Sequence, residues 1–583
     1  MSSLRKLDWL VAAALTLFAF VVRLPFCTDA LHFSDSADYL RAARLGFRVN
    51  YTGGVGLRDM VKAYRSDPEF PRHPWAVLMA QGDVGALRHF HVPLAYYPHA
   101  VLAQLGGSDR SHRFVVAAIS SLFVAVAFLV LRASGVSLAL AGAGTLVLAT
   151  NPAFLLMSRE ISPHPLFLVL AALCLYSLGA FPHAPRKYGP LALLAFGAAA
   201  ATLELSLLLF LAAVIAAALQ AGYRQAASTL SSTRYALAGA ALFLTWLTLL
   251  WPAGVFKAGY LISYGSYVFF ALFRRSEYYK DASVSELLSR LGSGNEIVGA
   301  LFFLASLAIL AWSLRSRKSP FALAFSIYSM LTLGQGWLTN FRNSTYVAEF
   351  VCVLWFPVLF ALQGAVVRTS SRSRAWTLQL AAFVALGLLL AQHLRFIRSY
   401  RDPEIALSAR VRAAIRILRN RYAPGTVFVV NRHHEVLGAY ASEFLFEPGV
   451  WRGGLVPRLA TRGGFVVLVH ADSLSPQQRA LLGPLCELGD TGFAVTCTPA
   501  APRAAPNATG SYEAGVLAPS FAQPTANRFE TQQQAWAFPC KSIQARCRSC
   551  GTGLDGWGPL GVPGHLPLRP LWSEPLERAR YHS

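Results

Sequence analysis

Apolar residues occur along most of the chain in long runs that are separated by short polar segments. Eleven of these runs are predicted to be helices that cross about 30 Å of hydrocarbon, at a rise of about 1.5 Å per residue. The runs are Leu10–Val22, Phe114–Leu131, Leu138–Ala153, Pro165–Ala180, Leu191–Leu203, Leu205–Leu219, Ala236–Leu250, Ile297–Leu314, Phe321–Leu338, Val347–Val366 and Trp376–Leu394. The pattern therefore predicts a polytopic α-helical membrane protein with about eleven transmembrane helices.

One apolar stretch, from Tyr188 to Gln220, carries a single charge, Glu204, near its middle. It forms either two helices hinged outside the membrane or one long tilted helix with a buried acid. An uncompensated carboxylate at the bilayer centre costs at least about 2.5 kcal/mol. We therefore favour two helices, with Glu204 at the outer surface.

The pattern changes after the last apolar run. Glu404–Arg421 has apolar residues at helical spacing with arginines between them, and Thr426–Val430 is a β-branched run typical of a buried strand. Phe465–Val469 and Phe493–Thr498 are predicted to be strands, and Ser475-Pro476 begins a helix with an N-cap followed by proline.

These elements divide the chain into three parts. Residues 1–396 form the predicted membrane domain, whose first outer loop is 23–112, and residues 397–500 form a small α/β domain. Residues 501–583 are rich in proline, glycine, arginine and serine without sustained periodicity, which predicts a disordered tail.

Composition supports the membrane assignment. Hydrophobic residues make up 55% of the chain and charged residues 14%, so the chain has more apolar surface than a soluble core of this size could bury. The formal net charge of +23 would also suit a nucleic-acid-binding protein, and the placement of the charges decides between the two.

The basic residues concentrate in alternate connections between the predicted spans. If the N-terminus is cytoplasmic, the inner segments hold Arg5, Lys6, Arg132, Arg186, Lys187, Arg224, Arg234, Arg315, Arg317, Lys318, Arg368, Arg372 and Arg374. This is the asymmetry expected of cytoplasmic loops, so the charge reflects topology rather than nucleic-acid binding. The long segments, including the α/β domain, are then extracytoplasmic, and we expect a multi-pass protein of the plasma (inner) membrane.

Three cysteine and histidine motifs carry weaker signals. Cys486 and Cys497 flank the last predicted strand on the outer side, where a disulfide can form. Cys547 and Cys550 lack a second ligand pair at zinc-finger spacing, and we interpret them as thiols of the tail. His433-His434-Glu435 lacks the second histidine of a helical zinc motif and is predicted to be a polar loop.

The outer loops nearest the membrane contain the more informative chemistry. Asp35 and Asp38 are three residues apart, so a helix that begins here would carry both carboxylates on one face. The first loop also contains three histidines and two tyrosines within Arg88–His99, and the second outer loop contains Ser158–His164. These residues suit either an active site or the caps and interfacial aromatics of any membrane protein.

In chain order, these segments resemble the GT-C superfamily, which includes the protein O-mannosyltransferases and the bacterial aminoarabinose transferases of the glycosyltransferase family 39 type. The matching features are Arg23, Asp35-Ser-Ala-Asp38-Tyr39-Leu-Arg-Ala-Ala, His91-Val-Pro-Leu94 with Tyr96, Arg113, Asn151-Pro152 and Ile161-Ser-Pro-His164-Pro-Leu. The resemblance covers about residues 5–395, and the small outer domain also fits it.

The resemblance implies a glycosyltransferase that moves a hexosyl or pentosyl group from a polyprenyl-phosphate donor to a protein, lipid or glycan acceptor in the cell envelope. Asp35, with Asp38, would be catalytic, because the acceptor hydroxyl must lose its proton as it attacks. The phosphate leaving group needs positive charge, for which Lys257, Arg342 and Arg159 are the candidates. Lys257 and Arg342 are equally well explained as snorkelling cations beside an aromatic belt.

The resemblance leaves a metal ion as the other role for the first-loop acid. Asp35 with Glu160 or His164 would hold a divalent ion such as Mg²⁺ or Mn²⁺. Many relatives have a second acid where this chain has Ser36, and an acid where this chain has His164.

The main alternative is a transporter or flippase of lipid-linked sugars. Such a protein usually has internal hydropathy repeats and charges in mid-span. No repeat is evident, and Glu204 is the candidate for such a charge, which favours the enzyme. A polymerase or ligase would place its large loop later in the chain, and a non-catalytic scaffold would use Asp35 as a helix cap.

Overall fold

The structure is a computed structural model. It describes residues 4–33, 35–44, 65, 94–203, 205–229, 233–251, 283–291, 296–315, 319–338, 344–369, 371–448, 465–474, 476, 479, 482 and 484–496. The predicted tail, 501–583, lies outside these residues. The chain divides into two compact units at Asp402, and each unit is described by itself.

The first unit is built from helices. Their bounds are α1 Lys6–Val21, α2 Asp35–Arg44, α3 Tyr97–Gln104, α4 Asp109–Ala133, α5 Leu138–Thr150, α6 Pro152–Met157, α7 His164–Ala180, α8 Pro185–Ala200, α9 Ser206–Leu219, α10 Ala221–Thr229, α11 Thr233–Leu250, α12 Val284–Leu291, α13 Glu296–Arg315, α14 Pro320–Leu338, α15 Ser344–Arg368 and α16 Arg372–Ser399.

Local sequence fixes where several of these helices begin. The Ser108 and Ser137 hydroxyls accept hydrogen bonds from backbone N–H groups in the first turns of α4 and α5. The Asn151 side chain caps α6 in the same way, and Pro152 follows it at the first helical position. Each cap satisfies a donor that the helix itself leaves without a partner.

A large apolar core joins α1, α4, α5, α7, α14 and α15. At its centre the rings of Phe325 and Phe356 stack with their centroids 4.4 Å apart. Gly144 of α5 allows α15 to approach closely, because a Cβ atom at this position would lie 2.6 Å from Leu359 Cδ1. The Trp355 indole also donates to the Gly144 carbonyl oxygen at 2.7 Å.

The helices agree with a membrane protein that crosses the bilayer several times. Within the described residues, four helical segments, which begin at Lys6, Asp109, Thr345 and Arg372, are long and apolar enough to span a membrane. The number is six if two bent helix pairs each count as one span. The count of eleven therefore remains a prediction.

The stretch from Tyr188 to Gln220 forms two helices, as predicted. Helix α8 ends at Ala200 and α9 begins at Ser206. Glu204 itself lies outside the described residues.

The second unit contains a five-stranded sheet. Its strands are β1 Val427–Val430, β2 Leu445–Pro448, β3 Phe465–His470, β4 Leu485–Glu487 and β5 Phe493–Thr496, in the order β2-β1-β3-β5-β4. β1 pairs in parallel with both β2 and β3, whereas β5 pairs antiparallel with β3 and β4.

Two helices of this unit differ in how well the sequence predicted them. Helix α17, Glu404–Arg421, has the predicted bounds and buries Val411, Ala414, Ile415 and Leu418. The prediction of a loop at His433–Glu435 is wrong, since helix α18, His434–Tyr440, begins there. Cys486 is disulfide-bonded, and its predicted partner Cys497 lies outside the described residues.

Candidate active site

The first-loop acids lie at the beginning of α2. Asp35 is exposed and Asp38 is half-buried. The apolar side of this helix faces the interior, since Tyr39, Leu40 and Ala43 are buried. A helix N-terminus favours nearby negative charge, so this position suits two carboxylates in the first turn.

Helix α2 is attached to the segment 158–163, which belongs to the predicted second outer loop and is called the second outer-loop segment. The buried hydroxyl of Ser36 donates to the carbonyl oxygen of Ile161 at 3.2 Å. The Tyr39 ring also packs against Tyr96, with centroids 5.1 Å apart. These contacts hold Asp35 and Asp38 next to a segment that is about 125 residues later in the chain.

Arg113 of α4 holds the connection that leads into α2. Its guanidinium donates to the carbonyl oxygens of Thr28 at 3.0 Å and Leu31 at 3.2 Å, and also to that of Ala30. The side chain is 1% exposed. The position of the first-loop acids is therefore fixed to the helix bundle through backbone groups.

Arg159 is the centre of a buried ionic cluster. Its Nη1 atom donates to the Tyr400 hydroxyl at 2.8 Å and to Asp402 Oδ1 at 3.2 Å. Its Nη2 atom lies 3.5 Å from Glu160 Oε1, and the Thr28 hydroxyl donates to the other carboxylate oxygen of Asp402. This arrangement supports a structural role for Arg159, whereas its predicted contact with the donor phosphate stays a prediction.

Arg23, at the end of α1, is also buried. It donates to the carbonyl oxygens of Ala19 at 2.8 Å and Ala149 at 3.2 Å, and to the Ser158 hydroxyl at 3.2 Å. Its guanidinium carbon lies 4.5 Å from the centroid of the Phe154 ring. Arg23 therefore ties the ends of α1 and α5 to the start of the second outer loop.

His164 contacts a carboxylate that the sequence analysis did not select. Its Nδ1 atom lies 2.8 Å from Glu349 Oε2, and the Tyr328 hydroxyl donates to Glu349 Oε1 at 3.2 Å. All three side chains are buried. The available signal was a single acid inside the apolar run Val347–Val366.

The Glu349 contacts predict how the site responds to an isosteric change. In Glu349→Gln, an amide replaces the carboxyl group, and one of the two oxygens that contact His164 and Tyr328 becomes an NH₂ donor. We expect a loss of about 1–3 kcal/mol in the free energy of unfolding, measured as a lower Tm in detergent. Tyr328→Phe removes the donor to Glu349 Oε1 and should lower the free energy of unfolding by a similar amount, and an unchanged Tm in both variants would contradict the prediction.

A second buried pair lies where α3 meets the start of α4. His99 Nδ1 and His112 Nδ1 are 3.1 Å apart, and their rings stack with centroids separated by 5.3 Å. One ring must donate and the other accept, so the accepting ring is neutral. Burial, together with the neighbouring His112, lowers the pKa of His99 to about 3.

This pKa predicts a loss of stability in acid. In the unfolded chain His99 titrates near pH 6.5, so below that pH the unfolded state binds a proton that the folded state excludes. The contribution of His99 to the free energy of unfolding should fall by about 1.4 kcal/mol per pH unit from about pH 6.5 toward pH 3, and it is complete above pH 6.5. The free energy of unfolding of wild type and of His99→Gln is measured across this pH range. Equal dependence on pH in the two proteins would contradict the prediction.

The described residues include no group of three or more histidine, cysteine, aspartate or glutamate side chains placed to hold a metal ion. Glu160 lies against Arg159, and His164 contacts Glu349 through Nδ1. This arrangement does not fit the expected metal set, so no chemical step is derived through a metal. Lys257 and Arg342, the other expected phosphate ligands, lie outside the described residues.

Comparison with known structures identifies the fold. The crystal structure of ArnT from Cupriavidus metallidurans bound to undecaprenyl phosphate aligns with a TM-score of 0.50 and 15% identity, over 84% of this chain and 98% of that chain. The crystal structure of the same protein in the apo state aligns with a TM-score of 0.47 and 14% identity, over 83% of this chain and 97% of that chain. The crystal structure of the Archaeoglobus fulgidus oligosaccharyltransferase complex with Zn and sulfate aligns with a TM-score of 0.45 and 12% identity, over 80% of this chain and 69% of that chain.

No protein-family profile and no curated protein sequence matches the chain. The fold, together with the apolar helices, defines an integral membrane protein of several spans. More particularly, the chain has the GT-C fold that the sequence motifs predicted, and the match to ArnT extends over most of both chains.

Proposed function

We propose that this protein is a glycosyltransferase that uses a polyprenyl-phosphate-linked sugar. One observation carries the proposal: within a GT-C fold, α2 brings Asp35 and Asp38 against the second outer-loop segment through the hydrogen bond from Ser36 to Ile161. The two carboxylates are thereby held at a partly exposed position that an acceptor can reach.

Asp35 is the proposed general base. Its carboxylate takes the proton of the acceptor hydroxyl while the acceptor oxygen forms a bond to the anomeric carbon. The bond from that carbon to the phosphate oxygen breaks, and the phosphate leaves with the electron pair. The exposure of Asp35 supports this role, because the acceptor must reach the carboxylate.

The departing phosphate needs stabilisation by positive charge. Arg159 is bound to Asp402 within the first unit, so Lys257 and Arg342 are the stronger candidates for this task. Asp38 lies one helical turn from Asp35 on the same side of α2, where it can orient the acceptor.

The donor class rests on the fold and on the ligand of a similar protein. The ArnT structure named above is bound to undecaprenyl phosphate. We propose a polyprenyl-phosphate sugar as donor for this chain, an acceptor on the extracytoplasmic face of the plasma membrane, and an N-terminus in the cytoplasm. The basic connections between spans support this orientation.

The test measures consumption of donor. The full chain in lipid nanodiscs is incubated with polyprenyl phosphate that carries a radiolabelled hexose or pentose, together with total envelope extract as acceptor. We expect label to move from the lipid donor into a protein, lipid or glycan fraction. If no donor is consumed but labelled donor crosses the bilayer of proteoliposomes, the protein is a transporter and the proposal fails.

A further inference from the structure

In the sheet of the second unit, the order in which successive strands are added reverses between β1 and β3. From β1 the chain passes through α18 to β2 on one side, whereas β3 pairs with the other side of β1. The carboxyl ends of β1 and β3 therefore lie side by side at a topological switch point. In open α/β sheets, ligands bind in the crevice outside the strand ends at such a point.

The residues that follow these two strands are polar and contact each other. Asn431, directly after β1, accepts a hydrogen bond through Oδ1 from the backbone N–H of His470, at the end of β3, at 2.8 Å. The His433 ring lies edge-on to the His470 ring, with centroids 5.5 Å apart. His433 also has φ of +63°, a left-handed conformation that few residues with a side chain adopt.

A niche about one atom wide lies at Gly492, at the start of β5. A Cβ atom there would lie 3.4 Å from Asp472 Oδ2, 3.5 Å from Arg410 Nη1 and 3.5 Å from His470 Nε2. Gly492 has φ of +75°, so glycine both permits the backbone conformation and leaves the niche open. The Arg410 and Asp472 side chains are exposed, and His470 is buried.

The chemistry of these atoms selects the kind of ligand. Arg410 donates hydrogen bonds and Asp472 accepts them, and the two groups are 3.5 Å apart. A hydroxyl group both donates and accepts, so it can bind Arg410 and Asp472 together. An anion would be repelled by the Asp472 carboxylate but attracted by Arg410 and by Arg432, which also acts on His470, so phosphate is the competing ligand.

We propose that the crevice around Arg410, His470, Asp472 and Gly492 binds the hydroxyl groups of a carbohydrate. Burial, with the neighbouring His470, lowers the pKa of His433 to about 3, so this ring is uncharged near pH 7. The proposal does not depend on glycosyl transfer, because the site lies wholly within the second unit.

The test is saturation-transfer difference NMR on the full chain in nanodiscs. The probes are methyl glucoside, methyl galactoside and methyl mannoside, and inorganic phosphate is followed separately by its ³¹P line width. We expect at least one glycoside to bind. Asp472→Ala should weaken that binding about tenfold, the effect of losing one hydrogen bond to a charged group.

Two glycine variants separate the niche from backbone strain. Gly492→Ala fills the niche and should also weaken binding about tenfold. Gly489→Ala introduces the same strain at φ of +60° on the same connection, but its methyl group would meet Ile417 Cδ1 at 3.9 Å and leave the niche open. It should bind as wild type does.

Arg416→Gln provides a further control, because Arg416 is an exposed arginine of the same helix as Arg410. It should also leave glycoside binding unchanged. Binding of phosphate alone, the absence of binding by all three glycosides, or an equal loss in both glycine variants would overturn the proposal. Donor consumption is measured in separate samples, so the failure of one proposal is distinguishable from the failure of the other.

Discussion

Asp35→Asn should reduce glycosyl transfer by about 10²–10⁴-fold, which is the usual contribution of a general base. Asparagine has nearly the same shape as aspartate but cannot take the proton of the acceptor hydroxyl. Asp35 is exposed at the first turn of α2, so the substitution should leave the fold and the Ser36 contact in place. Initial rates of label transfer in nanodiscs, with Tm measured in the same samples, test this directly.

Asp29→Asn is the matched control for this substitution. Asp29 is an exposed aspartate of the connection between α1 and α2, six residues before Asp35, and it has no role in the proposed reaction. Its transfer rate should stay close to that of wild type. Undiminished transfer by Asp35→Asn would remove Asp35 from the mechanism, and equal losses in both variants would show that the net charge of the loop matters instead.

Arg159→Gln should destabilise the first unit by about 3–5 kcal/mol, the usual effect of removing one member of a buried ion pair. The Asp402 side chain is 0% exposed and that of Arg159 is 1% exposed, so the substitution would leave a buried carboxyl group without its cationic partner. We expect a clear fall in Tm. Arg401→Gln, an exposed neighbour of Asp402, should have little effect.

A double variant separates structure from catalysis at Arg159. Arg159→Met combined with Asp402→Leu removes both charges and should recover most of the lost stability. If this variant is stable and transfers sugar at nearly the wild-type rate, Arg159 is structural. If it is stable but inactive, the predicted contact with the donor phosphate gains direct support.

Local patterns were sufficient to predict the elements that position the proposed base. The fold class followed from apolar runs, and the shared face of the two carboxylates of α2 followed from their spacing of three residues. Helix α17 could also be predicted from the sequence, because its buried residues recur at helical spacing. In each case the signal lies within one element.

Contacts between distant residues could not be predicted in this way. His164 and Glu349 are 185 residues apart, and the sequence indicates neither that they meet nor that Tyr328 joins them. The prediction that Glu204 is the candidate for a charge within a span was incomplete, since Glu349 lies within a predicted span and is buried. Asp402 was missed because its partner Arg159 is 243 residues away.

Short elements were the other source of error. Strands β2 and β4 have four and three residues, too few for a pattern of alternation to be distinguished from chance. Their positions depend on pairing with β1 and β5. Helix α18 was interpreted as a loop because its first residues are polar, although four of its later residues are buried.

The contacts of Arg23 become possible at different times during synthesis of the chain. One of its acceptors, the carbonyl oxygen of Ala149, is 126 residues later in the chain, so at about 5–20 residues per second the ribosome reaches it roughly 6–25 s after Arg23. During that interval the guanidinium must be solvated by water or lipid head groups. The end of α1 therefore stays at the bilayer surface during synthesis and becomes part of the interior only after α5 has been inserted.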